Sequence, residues 1–155
     1  SPDPARNGPR PLDQRELREF PGYLLARARF VAFKTFEQAV RDSCDLRPVE
    51  FSVLLLLEHN PEATQTQLSQ ALGVAPPNMT GLLRRLEGRQ LLTRERGASD
   101  ARQQHLRLTA EGRALLTAAL SRVRSADKSW MNRLSRGEQA MLLELLEKLV
   151  DGPAA

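Results

Sequence analysis

Cysteine is nearly absent from this chain, histidine is scarce, and long apolar runs are missing altogether. Each shortage excludes something. The lone Cys44 has no partner for an internal disulfide, which fits a reducing cytoplasm. The longest apolar run, Val53 to Leu57, is five residues, far short of the roughly 18–20 that a membrane helix needs. No membrane association is expected. The two histidines, His59 and His105, belong to different elements, and no H-x-x-x-H, C-x-x-C, P-loop or G-x-S-x-G occurs. The chain is therefore expected to be no enzyme and to hold neither metal nor cofactor.

What the chain has is arginine, unevenly placed. Its 155 residues leave room for one domain with extensions. The formal charge is +4, and all of it falls between Pro76 and Arg113, where eight arginines meet four acids. The remainder balances at fifteen basic and fifteen acidic residues. A basic segment on an otherwise neutral protein is the electrostatic footprint of a polyanion partner. An arginine-rich solvated surface is the plainer explanation.

Inside that segment, LLTRERGASDARQQHLRLT (91–109) alternates apolar and polar residues around a small, polar tip at Gly97–Ala101. This pattern predicts a hairpin. Almost everything else reads as helix. Residues 1–12, with four prolines and little to bury, read as a tail and not as a signal peptide. A short helical piece, Asp13 to Glu19, follows. Pro21 suits the first position of a long helix to about Cys44, with Leu24, Ala28, Val31 or Ala32, Thr35 and Ala39 as its apolar stripe. Pro48 opens a second helix whose core residues are Phe51, Leu54, Leu55 and Leu57, ended by Asn60-Pro61.

Thr64-Gln65-Thr66-Gln67 has the form of a capping box. It starts a short helix with Leu68, Ala71 and Leu72 apolar, which Gly73 stops. Pro76-Pro77 begins the next helix, turning Met79, Leu82, Leu83 and Leu86 to the core. After the hairpin, Thr109 caps a long helix to about Trp130, with Leu116, Leu120 and Val123 at helical spacing. A last helix from about Ser135 presents Met141, Leu142, Leu145, Leu146 and Leu149.

A short capped helix, a glycine turn and a second helix are the parts of a helix-turn-helix. A basic hairpin directly after them makes the expected fold mainly α, a winged helix-turn-helix over 46–109. Long flanking helices at 13–45 and 110–151 complete it. Pro76, Pro77, Asn78, Thr80 and Gly81 lead the second helix into a major groove about 12 Å wide. Asn78 suits adenine, and Arg84 and Arg85, a turn further on, suit guanine edges or phosphates. Thr64 is expected mainly as a cap near the phosphates. At the hairpin tip Arg102 is aimed at the narrow minor groove, with Asp100 holding its guanidinium. Arg94, Arg96 and Arg107 are read equally as strand-face solvation or phosphate contacts.

The runs LRPVEFSVLLLLEHNP (46–61), TQTQLSQALGVAPPNMTGLLRRLEGRQLLTRERG (64–97) and SDARQQHLRLTAEGRALL (99–116) resemble the MarR family of bacterial transcriptional regulators. The D-x-R of Asp100 and Arg102, followed by LRLTAEG, is the most specific part of the match. The resemblance implies a winged-helix homodimer on the pseudo-palindromic operator of double-stranded DNA, usually a repressor released by a small ligand. It would work in the cytoplasm, at the nucleoid when bound. Two departures stand out. Gln90 occupies a position where the family commonly has glycine, and Pro76-Pro77 replaces the usual serine-rich start of the recognition helix.

The flanking helices carry apolar stripes too wide for one small winged helix, so pairing across a two-fold axis is expected. That pairing sets two recognition helices roughly 34 Å apart; a monomeric bundle would bury the same stripes within one chain. The family implies an effector pocket between these helices and the winged domain. For an aromatic acid, Arg27 and Arg29 are candidate carboxylate partners, with His59 and Trp130 as further candidates. Both arginines facing solvent is the competing reading. The residues also allow Cys44 to be a redox switch, with a structural or merely tolerated cysteine as the plainer reading, and they allow a winged helix that binds a protein instead of DNA.

Overall fold

Prolines open three helices and left-handed residues close three. The computed structural model describes residues 11–96 and 104–152. A 3-10 turn at Leu17–Glu19 precedes α1 (Pro21–Cys44), α2 (Pro48–His59), α3 (Gln65–Leu72) and α4 (Pro76–Gly88). Strands β1 (Leu92–Arg96) and β2 (Gln104–Leu108) follow, then α5 (Ala110–Met131) and α6 (Arg136–Asp151). Pro21, Pro48 and Pro76 each sit in a first helical turn, where no backbone donor is required. Asp45 at φ 47° ends α1 and Gly73 at φ 61° ends α3. The expected tail (1–12) lies largely outside the described residues, as do the hairpin tip (97–101), Asp100 and Arg102.

The strands pair antiparallel from Leu92 opposite Leu108 to Arg96 opposite Gln104. This two-stranded wing is docked on the helices. The Leu106 N–H donates to the Ala63 carbonyl at 2.9 Å, and Arg107 pairs with Glu62 at 3.0 Å. The core gathers Phe51, Leu54 and Leu57 of α2, Leu68 of α3, Met79, Leu83 and Leu86 of α4, and Leu92 and Leu106 of the wing. Leu116 and Ala119 of α5 close it from the other side. No helix among the described residues is long and apolar enough to cross a membrane.

Two expectations change. In α1 the buried residues are Val40 and Cys44, which the expected stripe did not include, and Phe36 packs against the core beside the expected Ala39. Phe36 meets Phe51 edge-on, with ring centroids 5.5 Å apart. The N-terminal half of the expected stripe, including Leu24 and Val31, is exposed, as is Ala71 of α3. Periodicity marks an apolar face without saying which neighbour covers it. Gln90 is the second case. It adopts the left-handed conformation itself, at φ 58°, so the helix exit that glycine would make is kept at a local cost.

Helix α6 stands apart. None of its residues is buried, and Leu143, Leu145, Leu149 and Val150 are exposed. Its N-terminus is well made nonetheless: Ser135 and Glu138 form a capping box, the Glu138 N–H donating to Ser135 Oγ at 3.3 Å. An amphipathic helix owes its stability mainly to what it packs against, and α6 has little of that within its own chain.

Candidate nucleic-acid interface

The helix-turn-helix is set by three local interactions. Thr64 caps α3: its hydroxyl accepts from the Gln67 N–H at 3.3 Å, and its own N–H donates to Gln67 Oε1 at 2.8 Å. Across the turn, Gln65 Nε2 donates to the Thr80 hydroxyl at 2.7 Å, which in turn donates to the Pro76 carbonyl at 3.0 Å. Thr64 and Thr80 are thus both engaged inside the motif, Thr64 in the cap of α3 and Thr80 in tying α4 to α3 through Gln65.

Pro76, Pro77, Asn78, Gly81 and Arg84 are exposed along α4, opposite the buried Met79, Leu83 and Leu86. This is the expected leading edge, presented as a free ridge. Arg85 departs from the expectation of a guanine or phosphate contact. Its guanidinium is turned inward to Glu50, whose carboxylate is 1% exposed, and to Asp45 Oδ2 at 2.9 Å. A buried carboxylate needs a counter-charge and filled lone pairs, and the remaining oxygen of Glu50 accepts the Arg47 N–H at 2.9 Å. The hydrogen bond to Glu50 holds the Arg85 guanidinium above its ordinary pKa, outweighing partial burial.

The basic segment also contracts in space. Arg94 pairs with Glu87 at 2.7 Å, Arg107 with Glu62 and Glu95, and Arg113 with Glu58 at 3.0 Å. Arg89 donates to the carbonyls of Asp45 and Cys44 at 2.6 and 2.9 Å. Asp45, Glu50, Glu58 and Glu62 lie outside the segment in sequence, and folding brings them to its arginines. Among the described residues, Arg84, Arg96 and Arg113 are its exposed cations, and Arg113 carries the Glu58 pair. Charge counting along the chain missed this, because partners distant in sequence leave no local signal.

Of the effector candidates, Arg27 is exposed and donates to Gln14 Oε1 at 2.8 Å, with its guanidinium 5.9 Å from the Tyr23 ring centroid. Arg29 is exposed. His59 lines a groove of about 650 Å³ with Leu56, Pro61, Ala63, Leu68 and Ala71. Trp130, half-buried, donates to Asp127 at 3.2 Å. Cys44 is 4% exposed, whereas a sensor thiol needs access to its oxidant.

A MarR family profile matches residues 46–103. The HTH-type transcriptional repressor NicR of Pseudomonas putida is 30% identical over 145 residues, covering 91% of this chain and 90% of its own. The transcriptional repressor CouR bound to a 23-mer DNA duplex is similar at TM-score 0.85 and 38% identity, over 90% of this chain and 99% of that one. CouR bound to p-coumaroyl-CoA gives 0.83 and 36%, over 92% and 99%. Sequence and fold thus agree over nine tenths of the chain, and the chain belongs to the MarR family of DNA-binding transcriptional repressors.

Proposed function

We propose that this protein is a homodimeric repressor that reads a pseudo-palindromic operator and leaves it when a small aromatic ligand binds. The observation that carries this reading is the ridge of α4. Its Asn78, Gly81 and Arg84 are exposed while the opposite face is locked into the core and onto α3. A helix held this way enters a major groove without rearrangement. Asn78 serves an adenine, and Gly81 allows close approach. Arg84, with Asp100 and Arg102 from the segment between the wing strands in sequence, supplies the phosphate and minor-groove contacts. Thr64, Pro76, Pro77 and Thr80 shape the helix ends that meet the backbone.

Dimerisation is supported by α6 and by the first half of α1, where Leu24, Leu25, Phe30 and Phe33 are exposed. Exposed apolar helix faces of this kind are what a two-fold partner covers. On this reading 13–45 and 110–151 are the dimerisation helices and 46–109 the DNA-binding unit. The ligand class rests on the likeness to CouR bound to p-coumaroyl-CoA. Arg27, Arg29 and His59 are its candidate contacts, His59 being the one that lines a groove of ligand size.

Fluorescence-anisotropy titration against the intergenic DNA beside this protein's gene, with a scrambled duplex as competitor, tests the reading. A preference of roughly a thousandfold or more is expected, with p-coumaroyl-CoA as the first compound tried for release. Equal affinity for both duplexes would remove operator recognition.

A further inference from the structure

The C-terminal end of α1 is gripped by the recognition helix. Asp45 ends α1 in the left-handed conformation, leaving carbonyls that no later turn of α1 satisfies. Arg89 donates to two of them, Asp45 O at 2.6 Å and Cys44 O at 2.9 Å. Arg85, one turn earlier on the same face of α4, donates to the Asp45 carboxylate at 2.9 Å and to its carbonyl at 3.3 Å, and pairs with the buried Glu50. Two guanidinium forks therefore clasp one helix end, where the negative pole of α1 favours cations. Neither fork is spare for DNA while it does this.

We propose that Arg85 and Arg89 are positioning residues for DNA binding: through Asp45 they fix the tilt of α4 against α1 without touching DNA. The inference rests on the proposed reading of α4 as the recognition helix. It also gives α1, whose apolar face is assigned to the dimer, a direct hold on that helix. A fork bridging two carbonyls is a geometric device, and lysine, a single point charge, does not reproduce it.

The test uses the full chain and a duplex selected from a random pool by the wild-type protein. Circular dichroism would establish that each variant is folded at the assay temperature. Arg89→Met and Arg89→Lys are both expected to weaken binding about tenfold, with the slope of log affinity against log salt unchanged. Asp45→Asn tolerates the left-handed conformation and removes a negative charge, so charge alone would tighten binding; the clasp requires it to weaken.

Full affinity in Arg89→Lys, with a slope reduced by about one in Arg89→Met, would make Arg89 a phosphate contact and overturn the proposal. Wild-type affinity in all three variants, with only the melting temperature lowered, would overturn it as well. If the wild-type chain selects no duplex, the reading of α4 fails first and the clasp falls with it.

Discussion

The carbonyl oxygen of Leu91 lies 1.9 Å from where a Cβ on Gly112 would stand. Helix α5 therefore starts in direct backbone contact with the entry to the wing. Thr109 secures the junction, its hydroxyl donating to the Gln90 carbonyl at 2.6 Å and accepting from the Gly112 N–H at 2.9 Å. Because the obstacle is backbone, it cannot rotate away. Gly112→Ala should destabilise the fold by about 1–3 kcal/mol. Urea denaturation checks this, and the midpoint should fall with little change in slope.

Gln90 supplies the opposite case. Its φ of 58° strains a residue with a Cβ, and glycine removes that strain while adding freedom to the unfolded chain. Gln90→Gly should therefore stabilise by about 0.5–1 kcal/mol, the difference of the two effects. A lowered melting temperature would show that the exit from α4 is held by contacts of the Gln90 side chain.

The start of α6 should respond to acid. Glu138 accepts the Ser135 N–H at 2.7 Å, and the backbone and side-chain hydrogen bonds of Ser135 hold its carboxyl below the usual glutamate pKa. A depressed folded-state value contributes stability above the unfolded pKa and loses it as pH falls through the folded one. Amide protection at residues 136–139, taken relative to the intrinsic exchange rate at each pH, should fall over that acid range, and Glu138→Gln should abolish this loss.

Leu149 is 71% exposed at the end of a helix with no buried residue. Pairing Leu145→Glu with Leu149→Glu places two charges on the surface assigned to the partner. Light scattering should give twice the chain mass for the wild type at micromolar concentration and a shift toward the single-chain mass for the variant. A wild-type monomer would remove the two-fold operator.

Most of the fold was legible because its signals are local. Proline openings, the Thr64–Gln67 box, the Gly73 stop, the helix start near Ser135 and the alternating wing strands each act within a few residues. The exposed ridge of α4 was legible for the same reason, since a helix turns fixed positions away from its buried stripe. The role of Arg85 was not. Arg84 and Arg85 are adjacent and chemically identical, and the positions of Glu50, thirty-five residues earlier, and of Asp45 turn one inward.

By itself, the amino-acid sequence determined where the helices and the wing begin, that they form a winged helix, and that DNA is the partner its charge suits. Tertiary structure alone decided which arginines remain exposed, which face of α1 meets the core, and that Asp45 joins α1 to α4. The physical reason is range. Capping, turns and periodicity depend on neighbours along the chain, whereas ion pairs and burial depend on neighbours in space.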